Sequence, residues 1–255
     1  MDRFSVAGDV ALVTGGSRGI GRAIAETCVA DGLDVAICSR NEGEIEEAAT
    51  TIATDAPGEA MGVACDVRDG DEVGAFVEDA VAAFGGVDLL VNNAGASFMA
   101  NFTDISPNGW QSVVDVNLTG TVNCCQAAAD ELADGGGSVV NVASVAGESG
   151  APYMSHYGAA KAAIINLTTT LAYEWASDGV RVNCVAPGYV ATPGLASQMG
   201  IEAEDIDRAD PDRNVGTSEE IADVVRFLAS DAASFLTGET VSPRGVPDVE
   251  ETPNL

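Results

Sequence analysis

The chain has 255 residues, 40 of them acidic and only 11 basic, for a formal net charge of −29 at neutral pH. That balance speaks against nucleic acid or an anionic membrane as a partner held by a basic patch, and no apolar run reaches the roughly 18 residues of a membrane span. The length suits one α/β domain, and no Pro/Ser linker, repeat or low-complexity tract divides it, so residues 1–255 read as a single domain.

In chain order, short β-rich runs alternate with longer helical ones. The first strand, 10–14, leads into Thr14-Gly15-Gly16-Ser17-Arg18-Gly19-Ile20-Gly21 and a helix over 19–30. A strand, a glycine turn and a helix start make a phosphate site, because backbone N–H groups and the helix dipole converge on an anion. The glycines at 15, 19 and 21 are not spaced as in the common Gly-x-Gly-x-x-Gly fingerprint, so a plain turn remains the alternative for this segment alone. Further strands are expected at 34–39, 60–65, 89–92, 138–143, 180–185 and 239–242. Helices are expected at 42–53, 71–84, 111–133, 155–177 and 218–229. The alternation implies a parallel sheet of about seven strands covered by helices on both faces. Right-handed crossovers make it doubly wound, with a ligand crevice at the carboxyl ends of the strands. The polar stretch 192–214 carries Pro193, Gly194 and Gly200 and is expected to be a long loop without structure of its own. Such loops serve as substrate lids, a disordered acidic insertion being the alternative. Residues 246–255 form an acidic tail.

Lys161 is the sole lysine, and it stands four positions after Tyr157. On a helix that spacing shares a face, and a nearby cation lowers a tyrosine pKa from about 10 toward a value useful for proton transfer. Ser144, at the end of the strand 138–143 and thirteen residues before Tyr157, can place a hydroxyl beside the phenol. His156, the single histidine, points about 100° away from Tyr157 on the helix and reads as a packing or subunit-contact residue. Trp110 and Trp175 read as packing anchors. The six cysteines (28, 38, 65, 124, 125 and 184) show no metal-ligand spacing and read as reduced core residues, so no metal is expected. Met1-Asp2-Arg3-Phe4 begins no charged-then-apolar leader, which fits a cytoplasmic protein.

The charge would repel an anionic cofactor unless salt screens it, and the Debye length falls to about 3 Å at 1 M. A halophilic setting is therefore expected, in which hydrated carboxylates keep the chain soluble and lysine stems are nearly eliminated.

Together with Asn92-Asn93-Ala94-Gly95, Asn117 and Pro187-Gly188, the glycine turn and the Ser144, Tyr157, Lys161 spacing resemble the short-chain dehydrogenase/reductase family over nearly the whole chain. The resemblance implies a Rossmann-type domain and hydride transfer between nicotinamide and a carbonyl or alcohol, most like the 3-oxoacyl thioester reductases. It assigns Tyr157 as acid/base, Ser144 as the group that orients the substrate oxygen, Lys161 as the cation that tunes Tyr157 and binds the nicotinamide ribose, and Asn117 as holder of a relay water. For the cofactor it implies Gly15, Ser17, Arg18, Ile20 and Gly21 at the pyrophosphate, Asp66 and Val67 at adenine, and Asn93, Ala94 and Gly95 under the adenosine ribose. Pro187, Gly188, Val190 and Thr192 match the segment at the carboxamide. The second strand ends Cys38-Ser39-Arg40-Asn41 with no acidic residue for a ribose 2′-hydroxyl, so Arg40, helped by Arg18, favours a 2′-phosphate and hence NADP(H) over NAD(H). A sugar or secondary-alcohol dehydrogenase, or a silent nucleotide sensor, are the alternative functions. A homotetramer is the family expectation, although Ser242-Pro243-Arg244-Gly245-Val246-Pro247 departs from the Asp-Gly-Gly that ends the last strand in most relatives.

Overall fold

A computed structural model describes residues 3–246; the acidic tail from 247 onward lies outside the described residues. Seven parallel strands form the central sheet in the order β3-β2-β1-β4-β5-β6-β9. They are β1 (Val10–Thr14), β2 (Asp34–Ser39), β3 (Ala60–Ala64), β4 (Leu89–Asn92), β5 (Ser138–Val142), β6 (Arg181–Val185) and β9 (Thr240–Val241). The order reverses beside β1, between β2 and β4, as expected of a doubly wound sheet.

Alternation along the strands divides the core. Ala11, Val13, Val35, Ile37, Leu89 and Val91 bury one face under α1 (Gly19–Asp31), α2 (Glu42–Ile52) and α9 (Ser218–Ala229). Leu12, Ala36, Cys38, Leu90, Val139 and Val182 bury the other under α3 (Gly70–Phe84), α5 (Gly120–Ala127) and the end of α7 (Ser155–Glu174). Apolar groups on both faces explain why these strands read as continuous apolar runs rather than as a polar/apolar alternation. All six cysteines are free and buried. On the first face Arg226 of α9 forks onto Asp31 at the end of α1, with both N–H···O bonds at 2.7 Å.

Three segments differ from the sequence expectation. The helix expected over 111–133 is broken into α4 (Pro107–Val114), a π-helical turn Asp115–Thr119, α5 and α6 (Ala129–Gly135). Asn117 sits in the π turn, where its Nδ2 donates to the Val113 carbonyl at 2.8 Å and across to the Ala96 carbonyl at 2.7 Å. Just beyond, Gly120 lies so close to Val67 that a Cβ would meet Val67 Cγ2 at 2.6 Å. The stretch 192–214 is not devoid of structure: it contains α8 (Pro193–Met199) and a 3₁₀ turn, Ala203–Asp205. Thr192 caps α8 by accepting from the Leu195 N–H at 3.2 Å, and Pro193 occupies its first turn, a start signal that the abundance of polar residues hid. A second small parallel sheet, β7 (Tyr189–Ala191) with β8 (Val215–Thr217), ties the two ends of that stretch together.

Candidate active site

The sequence motifs following β1 to β6 all emerge at the carboxyl edge of the sheet. After β1, the glycine turn is anchored to β2 and clamped from β4. The Gly15 and Gly16 N–H groups donate to the Cys38 carbonyl at 2.9 and 3.2 Å. Asn93 Nδ2 donates to the Thr14 and Gly15 carbonyls at 2.9 and 3.2 Å, while Thr14 Oγ1 accepts from the Asn93 and Ala94 N–H groups, both at 3.0 Å. Gly15 has φ +67°, and a Cβ there would lie 2.9 Å from Asn93 Nδ2, so glycine is required both by conformation and by space. Asn93, expected under the adenosine ribose, is thus the clamp of the glycine turn. That role, and the part of Thr14, depend on contacts across about eighty residues and left no signal in the sequence.

Arg18 and Arg40 are exposed. Asp66, at the carboxyl end of β3, is forked by Arg68, which holds its carboxyl below the ordinary range, with Arg40 a weaker contributor. Arg68 takes this carboxylate, and Arg40 makes no ion pair among the described residues. Val67 is buried against Gly120, and its carbonyl accepts from Asn123 Nδ2 at 2.9 Å. Gly95 borders the end of Lys161: a Cβ on Gly95 would lie 3.6 Å from Lys161 Nζ and 2.8 Å from Asn117 Oδ1.

Ser144 begins the 3₁₀ turn Val145–Gly147 after β5, its Oγ accepting from the Ala146 N–H at 3.2 Å. That turn presses on α7. A Cβ on Gly147 would come within 2.6 Å of the Lys161 and Ala162 backbone, and one on Gly158 within 2.9 Å of the Ala146 carbonyl oxygen. The close approach sets the Ser144 hydroxyl near enough to Tyr157 to favour the phenolate. One turn further along α7, Lys161 is buried, its Nζ 5.5 Å from the Tyr157 ring centroid and donating to the Val142 carbonyl at 2.7 Å.

Burial raises the Tyr157 phenol above its ordinary value, and the nearby Ser144 hydroxyl offsets part of that rise. Burial acts on the lysine as well, pushing its pKa down to about 8, with Cys184 a smaller opposing influence. Both groups lose solvation, and the ammonium is directed to a carbonyl.

Asn117 Oδ1 is buried and has no hydrogen-bond partner among the described residues. Beneath the site runs a polar ladder: Asn92 Nδ2 donates to Asn141 Oδ1, and Asn141 Nδ2 to Thr168 Oγ1, each at 2.9 Å, tying β4, β5 and α7 together. An asparagine at 141 inside an apolar strand was the available clue. His156 is fully buried and packs edge-on against Phe98, with centroids 4.3 Å apart, as its expected packing role requires.

The segment after β6 closes the far side. Val145 N–H donates to the Pro187 carbonyl at 3.1 Å, and Gly188 N–H to the Pro243 carbonyl at 2.9 Å. Val190 is buried in β7. Thr192 reaches back to the glycine turn, its Cγ2 3.5 Å from where a Gly19 Cβ would stand. The unusual end of β9 joins here too: Ser242 Oγ donates to Glu148, and Arg244 pairs with the same carboxylate at 3.7 Å.

Comparison with known proteins follows the geometry. A family profile described as enoyl-(acyl carrier protein) reductase matches residues 15–243. The chain is 39% identical over 238 residues to a 3-oxoacyl-[acyl-carrier-protein] reductase of Synechocystis, covering 92% of this chain and 95% of that protein. Among solved structures, a short-chain type dehydrogenase/reductase from Mycobacterium marinum superposes with a TM-score of 0.86 at 33% identity, covering 96% of this chain and 97% of that one. A 3-oxoacyl-[acyl-carrier protein] reductase from Brucella melitensis, solved with bound NAD, superposes with a TM-score of 0.82 at 36% identity, covering 94% and 91%.

Proposed function

Because the chain belongs to the short-chain dehydrogenase/reductase family, and so is an oxidoreductase working between a carbonyl and its alcohol, we propose that it reduces a 3-oxoacyl thioester or a related ketone with NADPH. The observation that carries the reading is Tyr157: a half-buried phenol, facing the Ser144 hydroxyl, whose pKa is raised by burial, so that it keeps its proton at neutral pH and is set up as an acid.

The residues present fit a nicotinamide cofactor. The glycine turn leaves no room for a Cβ at Gly15, the start of α1 stands behind it, and Asn117 Oδ1 is an orphaned buried acceptor beside Gly95. Gly15, Ser17, Arg18, Ile20 and Gly21 would hold the pyrophosphate. Asp66 and Val67 would border the adenine, Asn93 to Gly95 the adenosine ribose, Lys161 with Tyr157 the nicotinamide ribose, and Pro187, Gly188, Val190 and Thr192 the carboxamide. When bound, the cofactor supplies the hydride. The Ser144 hydroxyl donates a hydrogen bond to the carbonyl oxygen and fixes its position, and Tyr157 Oη delivers the proton to that oxygen as the alcohol forms. Lys161, with its pKa near 8, exchanges protons readily around neutrality, and Asn117 Oδ1 accepts from a water that links it to solvent. The segment 192–214, with α8 at its start, closes over the substrate as a lid.

Arg40 supports NADPH: it follows β2 directly, is exposed, and forms no ion pair that would occupy its guanidinium among the described residues. The same reading includes a homotetramer in a salt-rich cytoplasm. Among the described residues, no helix is long and apolar enough to cross a membrane.

Steady-state reduction of a 3-oxoacyl thioester at multimolar KCl tests the proposal. NADPH is expected to exceed NADH in kcat/KM by about tenfold or more, a margin that Arg40→Leu removes; superior NADH would refute the assignment. Tyr157→Phe is expected to lose about a hundredfold to ten-thousandfold in kcat while still binding NADPH. Unimpaired turnover in that variant would remove Tyr157 from the chemistry.

A further inference from the structure

Tyr153 is at odds with its own backbone. Among the described residues only two non-glycine positions have positive φ, Asp55 at 58° and Tyr153 at 65°. Asp55 lies in an exposed turn after α2, and a short polar side chain tolerates the left-handed region. A tyrosine does not, because its Cβ crowds the following carbonyl, and such strain persists only where the surroundings impose it. The Tyr153 carbonyl is indeed pinned, accepting from the Ala100 N–H at 2.9 Å. The side chain, however, is 57% exposed, and among the described residues its ring joins no aromatic pair and its hydroxyl no hydrogen bond. Packing does not explain a tyrosine here, and the backbone would be better served by glycine or asparagine.

Position supplies the reason. Tyr153 lies on the segment between Ser144 and Tyr157, leaving the carboxyl end of β5, and is bonded to the segment that leaves β4. On that second segment Phe98 and Met99 are also exposed, at 39% and 64%, although exposed apolar groups gain nothing from water. Phe98 is held in place by its edge-on contact with the buried His156, next to Tyr157. Two segments joined by a hydrogen bond thus carry three large exposed apolar side chains to the edge of the sheet from which the proton-transfer pair acts.

We propose that Tyr153, together with Phe98 and Met99, forms a specificity wall that receives an apolar, preferentially aromatic, group attached to the reacting carbonyl. The inference rests on the reading of Ser144 and Tyr157 as the proton-transfer pair. The strained backbone is retained because the phenol ring is needed at that place, where a flat side chain with two rotatable bonds offers a large face at low entropic cost.

The full-length protein in multimolar KCl, with acetophenone as the probe, provides the test. Tyr153→Gly and Tyr153→Asn both suit a φ of 65°. Saturation-transfer NMR reads acetophenone binding without turnover, and initial rates with acetophenone and butanone read selectivity. Both variants are expected to melt no lower than the wild type. Acetophenone binding and the acetophenone-to-butanone ratio of kcat/KM are expected to fall by about tenfold. Equal binding by wild type and variants, no binding by any of them, or variants that melt well below the wild type would overturn the wall. A change of oligomeric state with probe binding intact would also overturn it, in favour of a contact between copies. Binding that follows the expected pattern without any hydride transfer would leave the wall standing and refute the proton-transfer reading instead.

Discussion

Lys161 shows how burial turns one side chain into a pH-dependent element of stability. Its pKa falls from the ordinary 10.5 to about 8, so between those values the unfolded chain holds a proton that the native chain has released. Stability therefore rises with pH across that window, by roughly 3 kcal/mol from this residue. The cost is complete below pH 8 and absent above 10.5. Lys161→Met, apolar and of similar length, is expected to flatten the rise in urea midpoints measured from pH 8 to 10.5; an unchanged slope would show that the lysine is not the source. The residue's identity was legible, because a sole lysine in helical register with Tyr157 and behind Ser144 is a pattern of types and spacings. Its acceptor on the Val142 carbonyl and the direction of the Tyr157 shift were not, since both depend on how deeply the helix is buried. The left-handed backbone of Tyr153 likewise leaves no mark in a string of letters.

At the scale of elements, the site depends on how closely the Ser144 turn and α7 approach. Gly147→Ala sets a methyl 2.6 Å from the backbone of Lys161 and Ala162, which cannot retreat without moving the helix. The turn must lift, and it carries the Ser144 hydroxyl away from Tyr157. We expect kcat to fall by about tenfold or more with the cofactor Kd little changed, since the glycine turn lies on another strand. Stopped-flow nucleotide binding beside steady-state rates checks this, and a variant with normal kcat would show that the approach has slack. The strands were legible because burial on both faces writes itself as continuous apolar runs. The π turn at Asp115–Thr119 was not, because one extra residue per turn is hidden within a helical pattern. Helix α8 is hidden by its polar, proline-containing surroundings, which have the composition of a loop, while Thr192-Pro193, as a cap and a first turn, is the signal of a helix.

For the whole molecule the governing quantity is charge. Of the 40 acidic side chains, only Glu26, Asp31, Asp66, Glu148 and Glu220 are in ion pairs among the described residues. The rest repel one another over a distance set by the Debye length, about 30 Å at 0.01 M salt and 3 Å at 1 M. Melting followed by circular dichroism is expected to show Tm rising steadily from about 0.01 M to roughly 1 M KCl. A Tm that ignores salt over that range would refute the halophilic reading.

The fork between Arg226 and Asp31 has a kinetic meaning as well. It joins positions 195 residues apart in sequence and closes α9 onto α1, the helix that begins in the glycine turn. Contacts so distant form late, after the entropy of closing the intervening chain has been met. During synthesis the glycine turn and α1 therefore emerge first but gain their outer support among the last, so the first βα unit is made long before the contact that covers it.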